Sequence, residues 1–526
     1  MATETELKLS LPARAASQLH HHPLLADHEW QRQLLINTYY DTPDHRLRSE
    51  GLVLRYRQKG SECLLGVKTA VRLSGGMAER QEWERAGRPG EFDFTHVDQS
   101  SVRDLLESLR DQLQPLFVTR FQRQTWLLEP RDGARIELAL DRGTIEAAGR
   151  RQTICEIELE LINGELGDLF DAATALQATL PLHPEVSSKS ERACRLLLDA
   201  PLTAAKAVPL TLDAGSSSIS AFRLVALSCI NQLQNNEKGI LTTDASEFVH
   251  QARVAIRRLR SAMRVWQRHL PEPFVARFDP LWQDLARRLG DSRNWDVFLA
   301  GTAQALSETF PERAEVDQLL RYARRRCVSS RKAARAVFKS VEYSRLLLDF
   351  TAAVVALPDA KPDSLGTYVP AWLGKCSKRV KQRAADAQGG DDAARHRLRL
   401  AFKQLRYALE FFSPIFAGPV LQSYHQSLTA LQELLGSQND LAVAMQLTEE
   451  ALPRSRSEAV RGWLAAQSDA LLPEQERLLA AFRCQDAPWA PPSAPGKQNG
   501  ESRQCEPSSS DDAGNGTKSP SGAGAA

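Results

Sequence analysis

The chain has 526 residues, 42% hydrophobic and 25% charged, with a net charge of +2. That length is about three ordinary domains and the composition is that of a folded protein, so a single small domain, a collagen-like fibre and a wholly disordered chain are excluded. No apolar run approaches the roughly 18 to 20 residues of a membrane helix; the best candidate, 346–357, is interrupted by Asp349.

The first residues, Met-Ala-Thr-Glu, offer neither a basic segment nor an apolar core, so no secretory leader is expected and the cytoplasm is the expected compartment. Residues 1–200 contain short stretches of alternating apolar and polar residues at 4–11, 51–57, 63–68, 135–141 and 154–161, which predict strands. Helical spacing appears at 100–113 and 165–180, so this part reads as α+β with helices in the minority. Residues 201–218 turn to Ala, Pro, Thr and Ser and end in Gly-Ser-Ser-Ser, a linker composition. From 219 to 486 apolar residues recur at three- and four-residue spacing with little Gly or Pro, which predicts an all-α bundle. The tail, 487–526, is rich in Pro, Gly, Ser and Ala and has too few apolar side chains to order itself. Each half has its own apolar periodicity, so the two are expected to fold separately.

Charge follows the same division. Residues 1–200 carry 25 Lys and Arg against 31 Asp and Glu, and residues 201–486 carry 39 against 30, so the second half suits an anionic partner. The eight cysteines are scattered with no CxxC pair, and are expected to be reduced. The helical half repeats itself at an offset of 146 residues: His250, Arg253, Arg257 and Arg260 recur as His396, Arg399, Lys403 and Arg406, and Leu289-Gly290 as Leu435-Gly436. Asn294 falls opposite Asp440 and Val297 opposite Val443, which predicts two related helical units packed as a pseudo-symmetric pair.

On a strand, alternation gathers Glu4, Glu6 and Lys8 on one face, and likewise Glu156, Glu158 and Glu160, and Arg55 and Arg57. Any one of these strands alone fits an ordinary sheet with its charged face in water. With Lys68, Arg80, Arg123 and Lys189 in the same domain, the charges would line one cavity if that face curls inward. Carboxylates are hard ligands for Mg²⁺ or Mn²⁺, and Arg and Lys neutralise phosphate oxygens.

Glu4-x-Glu6-x-Lys8 resembles the ExExK signature of the CYTH superfamily, the triphosphate tunnel metalloenzymes. The rest follows in that family's order: Asn37-Thr-Tyr-Tyr40-Asp41-Thr-Pro, Arg55 with Arg57, Lys68, Arg80 with Glu82, Arg123 before Trp126, Glu137 with Asp141, Glu156-Ile-Glu158-Leu-Glu160, and Ser188-Lys189-Ser190. The resemblance implies a closed antiparallel β-barrel forming a tunnel with catalytic metal inside. It implies Glu4, Glu6, Asp141, Glu156, Glu158 and Glu160 as ligands of Mg²⁺ or Mn²⁺. Lys8, Arg55, Arg57, Lys68, Arg80 and Arg123 would hold a triphosphate, and Glu4, Glu6, Lys8 and Lys189 would be catalytic. Hydrolysis of inorganic triphosphate is the leading expectation. The alternatives are thiamine triphosphatase or adenylyl cyclase activity in the same tunnel, or a non-catalytic polyphosphate-binding adaptor.

In the helical half, positions 250, 253, 257 and 260 fall within an arc of roughly 80° on an ideal helix, as do 396, 399, 403 and 406. Each repeat thus presents one His and three cations on a single stripe. These residues resemble those of the CHAD domain, the conserved-histidine α-helical domain often fused to CYTH, which implies binding of inorganic polyphosphate without catalysis. The first repeat has Asn294 where that family usually has an acid. Nucleic acid is disfavoured as a partner, because no stacking aromatics interleave the basic stripes.

Overall fold

The ten strands of the N-terminal part form one antiparallel sheet in a computed structural model that describes residues 2–69, 72–359, 364–387, 392–416, 419–485 and 487–489. They are β1 (Ala2–Ser10), β2 (Trp30–Asp41), β3 (Leu52–Lys59), β4 (Glu62–Thr69), β5 (Arg72–Ser74), β6 (Met77–Ala86), β7 (Gln114–Leu128), β8 (Arg135–Ala147), β9 (Arg150–Asn163) and β10 (His183–Pro184). The order is β10-β1-β9-β8-β7-β2-β3-β4-β6-β5, and β1 also pairs with β6, so eight strands close into a barrel. Closure removes the sheet edges and sends alternate side chains inward. The register sets Lys8 opposite Glu158, Glu6 opposite Glu160, and Glu4 opposite Arg80.

The outward residues of β1, β8 and β9, among them Leu7, Leu9, Leu138 and Leu159, are apolar and pack beneath the helix Leu166–Gln177. A second helix, Lys189–Leu198, begins at a capping box in which Ser188 accepts from the Glu191 N–H, and it brings Lys189 to the barrel. The expected strand at 135–141 runs on to Ala147. Alternation is interrupted at Gly143, where a Cβ would lie 2.1 Å from the Arg120 carbonyl oxygen on β7.

The helical region contains two units with the same order of four packed helices. The first is Ser218–Thr242, Ser246–Val265, Glu272–Val297 and Ala314–Phe338, and the second is Leu365–Asp386, Asp392–Phe412, Pro419–Ala451 and Glu458–Asp469. The helices that carry the two basic stripes pack against each other, and one large core joins both units around Trp266, Trp282, Phe350 and Phe411. Most of the apolar run at 346–357 lies in the helix Val341–Val355, and its composition reflects a double duty. Leu347, Phe350 and Val354 belong to the bundle core, whereas Leu348, fully buried, belongs to the barrel core. No helix among the described residues is long and apolar enough to cross a membrane.

Residues 201–217 form no helix or strand, yet they are fastened. Asn236 accepts from the Ala205 N–H at 3.0 Å and donates to its carbonyl at 2.9 Å, and Leu212 is buried in the bundle core. Packing continues past 486, since Trp489 lies against Tyr424 with ring centroids 5.2 Å apart. The remainder of the expected disordered tail, from 490, lies outside the described residues. Leu348→Ala removes the side chain by which this bundle helix enters the barrel core. It should cost the full chain about 2–5 kcal/mol in urea denaturation, whereas a cost below about 0.5 kcal/mol would show that the barrel does not depend on the joint.

Candidate active site and a basic cavity in the bundle

Barrel closure buries the charged faces of the strands around a cavity of about 510 Å³. Glu4, Lys8, Arg55, Arg57, Lys68, Arg80, Arg123, Glu158, Glu160 and Lys189 line it, together with Asn37, Glu82 and Glu84. Glu6, Asp141 and Glu156 lie just behind that surface and are buried.

The charges form three groups. In the first, Lys189 Nζ lies 2.7 Å from Asp141, 2.5 Å from Glu156 and 2.8 Å from Glu158. Arg123 grips Asp141 with two bonds of 2.8 and 2.7 Å and also touches Glu158. Arg192 holds the other side of Glu156. The oxygens of Asp141, Glu156 and Glu158 come within 4.8 Å of one another, a spacing that could hold a metal ion, but cations already compensate them. Burial would lower the Lys189 pKa, and Asp141 with Glu156 outweighs it, so that ammonium is held charged.

The second group is a chain across β1, β3, β4 and β6. Lys68 bridges Glu4 at 3.0 Å and Glu82 at 2.5 Å, and Arg55 bridges Glu82 at 2.9 Å and Glu84 at 2.8 Å. Arg80 reaches Glu4 at 2.8 Å and Glu6 at 3.1 Å. Arg57 is the least compensated cation here. Its contact with Glu84 is 3.4 Å long, Asn37 Oδ1 accepts from its Nε at 3.1 Å, and burial followed by the charge of Arg55 brings its pKa down to about 10.

The third group is acidic. Glu160 has no ion-pair partner among the described residues, and the register places it beside Glu6 on β1 and Glu137 on β8. Burial first, then the charges of Glu4 and Glu137, raise its pKa to about 7. Glu6 Oε1 is buried without an aligned hydrogen bond. Glu160 thus stands in the cavity wall without a cation of its own, opposite Glu6, which Arg80 reaches, and near Glu4, which Lys68 and Arg80 hold; carboxylate oxygens are the ligands a hard divalent cation prefers.

The bundle has a second charged cavity of about 220 Å³, where the two stripes converge. His250, Arg253 and Arg257 from one repeat face Arg399 and Lys403 from the other, with Asp440 the one carboxylate in the lining. Burial and then the charges of Arg399, Arg257 and Arg253 bring the Lys403 pKa down to about 7. Burial and Arg257 bring Arg253 down to about 10. These cations face one another with little to neutralise them.

Three of the expected stripe residues do not line this cavity. Arg260 is engaged by Asp279 at 2.8 Å, Arg406 lies over Tyr407 with Glu410 3.9 Å away, and His396 is exposed. A stripe roughly 80° wide spans both the cavity wall and its flank, so membership of the stripe does not by itself decide which residues reach the cavity. Sequence reading missed Arg293, which lines the cavity from the following helix. Its signal was its place one residue before Asn294 in the repeat. In the barrel the missed group is Arg192, one turn into a helix that no strand pattern announces; Glu84, which alternates with Glu82 and could have faced solvent, lines the cavity.

Residues 2–194 match the family model of the CYTH domain, and residues 225–449 that of the CHAD domain. An inorganic triphosphatase of Haemophilus influenzae is 34% identical over 205 aligned positions, a match that covers 36% of this chain and 54% of that protein, so the chain spans about half the length of this relative. Among solved structures, the CHAD domain of the plant Ricinus communis is 30% identical, covering 54% of this chain and 97% of that one, with a TM-score of 0.49. A Hippeastrum protein described as an adenylyl cyclase with dominant triphosphatase activity is 22% identical, covering 37% and 96%, with a TM-score of 0.29.

The cation cluster should leave a trace in stability. Folded Lys403 loses its proton near pH 7, whereas the unfolded chain keeps it to about the ordinary 10.5, so the folded state gains stability as pH rises between those values. Urea denaturation from pH 7 to 10 should show a smaller rise in Lys403→Met than in the wild type. An unchanged rise would refute the assignment.

Proposed function

From a chain that joins a CYTH domain to a CHAD domain, we propose that the barrel hydrolyses inorganic triphosphate to diphosphate and phosphate with a divalent cation, Mg²⁺ or Mn²⁺, and that the bundle binds inorganic polyphosphate. The observation that carries the first reading is one cavity with an under-neutralised cation, Arg57, and an uncompensated carboxylate, Glu160, both in its wall. A metal-bound polyanion satisfies both at once.

Arg55, Arg57, Lys68, Arg80, Arg123 and Lys8 bind the phosphate oxygens, exchanging carboxylate partners for substrate ones. The planar guanidinium forks give bidentate contacts and fix the chain of phosphorus atoms in the tunnel. Asn37 orients Arg57 through its Nε, and Lys189 stays charged among its three carboxylates. Water attacks the terminal phosphorus, the bridging P–O bond breaks, and diphosphate leaves. Glu4, Glu6 and Glu160 would hold the metal ion, whose chemistry is to neutralise charge developing on the transferred phosphoryl group.

For the bundle, His250, Arg253, Arg257, Arg399 and Lys403 offer several point charges around one cavity, which suits a polymer of phosphates read by charge alone. The cytoplasm is the proposed compartment, supported by the seven free cysteines among the described residues.

Glu6→Gln and Glu160→Gln should each lower triphosphate turnover more than about 100-fold with circular dichroism unchanged, since several kcal/mol of charge stabilisation are lost. Removal of metal with a chelator should do the same to the wild type. Phosphate release from triphosphate, thiamine triphosphate and ATP, compared with Mg²⁺ and Mn²⁺, tests the substrate; a preference for either organic triphosphate would overturn the inorganic assignment.

His250→Ala/Arg257→Ala/Lys403→Ala should remove most polyphosphate binding while sparing triphosphate turnover. Binding by the wild type should weaken steeply with salt. Salt-insensitive binding, or no loss in the triple variant, would refute the basic cavity as the polymer site.

A further inference from the structure

A cleft of about 570 Å³ lies between the barrel and the bundle, lined by residues of both. From the barrel come Arg192 and Arg195, on the helix Lys189–Leu198; from the bundle comes Lys238, on the helix Ser218–Thr242, with Lys339 exposed beyond it. Arg192 is 93% buried, and its Nε is buried with no hydrogen-bond partner while its Nη2 contacts Glu156. Arg195 Nε is also buried without a partner. Neither Arg195 nor Lys238 has a carboxylate within ion-pair distance among the described residues.

The acids nearby are committed elsewhere. Glu237 accepts from His183 at 2.7 Å and from the Tyr343 hydroxyl at 2.5 Å, and Glu185 Oε1 accepts from the Ser187 N–H at 2.8 Å. Arg14, on the barrel side, is exposed and adds another positive charge. Burial and then the charges of Arg195 and Arg192 hold the Lys238 pKa below its ordinary value, with Glu185 the one opposing influence. Buried guanidinium N–H groups without acceptors are costly, and an oxyanion supplies what they lack.

We propose that this cleft is a second anion site, distinct from the tunnel and from the bundle cavity, and that it takes a phosphate-class oxyanion. The Arg195 guanidinium, the unpartnered Nε of Arg192 and the Lys238 ammonium line it together, a donor set for a multiply charged tetrahedral oxyanion. A singly charged carboxylate would leave most of the positive charge uncompensated. The helix Lys189–Leu198 is the wall between this cleft and the tunnel: Lys189, Ser190 and Cys194 face the tunnel, and Arg192 and Arg195 face the cleft. The site exists only where barrel and bundle meet, so the bound anion bridges the two. Free phosphate or diphosphate and the end of a polyphosphate chain share this chemistry.

The test is calorimetric titration of the full chain, in chelator, with orthophosphate, diphosphate and long-chain polyphosphate in separate runs. Arg195→Ala/Lys238→Ala should lose one equivalent of bound anion, or weaken one class of site more than about tenfold. Arg195→Lys/Lys238→Arg should retain it, and triphosphate turnover and circular dichroism should be unchanged in both variants. Crystals soaked in tungstate should give an anomalous peak between Arg192, Arg195 and Lys238. Saturation by orthophosphate or diphosphate assigns the site to small phosphate anions, and saturation by the polymer alone assigns it to chain ends. Equal stoichiometry and affinity in wild type and Arg195→Ala/Lys238→Ala, with no tungstate peak, overturns the proposal.

Discussion

Closing an antiparallel sheet on itself leaves every second side chain without a route to bulk water. In this barrel those side chains are charged, and an unpaired buried charge is far more costly than a buried apolar group. The fold meets that constraint by setting the carboxylates of β1 and β6 against the cations of β3 and β4, so that Glu4, Lys68, Glu82, Arg55 and Glu84 form a continuous chain of ion pairs. Such pairs add little net stability over an apolar interior. What they provide is a set of charges already desolvated and held in place, each able to exchange its partner for an incoming phosphate oxygen or metal ion. The outer face, apolar for the same reason of alternation, then requires the helices that cover it.

The bundle treats charge in the opposite way. Arg258 is buried deep in its core, but with Glu410 at 2.7 Å and Gln232 at 2.9 Å it is fully engaged. One position away, Arg257 belongs to a group of cations that face each other with Asp440 as their one acidic neighbour in the cavity wall. Close approach makes this crowding possible: a Cβ at Gly290 would sit 3.0 Å from Arg253 Nη1, so glycine leaves room for the guanidinium against the neighbouring helix. Neighbouring residues of one helix therefore serve a structural ion pair and an anion cavity, according to the face they occupy.

The joint between the halves falls at the strand that carries the charged signature. The β5–β6 turn, Gly75-Gly76, has positive φ at both residues and docks on Thr351 of the bundle, where a Cβ at Gly75 would lie 2.0 Å from the threonine hydroxyl. Gln234 accepts from the Gly75 N–H at 3.0 Å and donates to the Pro184 carbonyl at 3.1 Å. Those two segments flank Lys8 directly, since its N–H donates to the Gly76 carbonyl and its carbonyl accepts from the Glu185 N–H. The bundle thus buttresses β1 at the position of Lys8, and residues 201–217 serve as a fastened strap along its helices.

What the sequence determined was periodicity and chemistry. Alternation of Glu4, Glu6 and Lys8, and of Glu156, Glu158 and Glu160, is a local property that puts like residues on one face whatever the fold, and the offset of 146 residues marks the two helical units without any structure. Strand ends were less legible, because Gly143 breaks the alternation for a reason that lies on β7. Which charges are compensated was decided only by tertiary structure. Glu160 and Glu158 look equivalent in sequence, yet the register sets one beside Glu6 and Glu137 and the other beside Lys8 and within reach of Lys189. Likewise Arg257 and Arg260 share a stripe, but Asp279 from another helix takes Arg260 out of the cavity and leaves Arg257 in it. Compensation depends on groups distant in the chain, and Coulomb energy between them falls with a separation that only the folded structure sets.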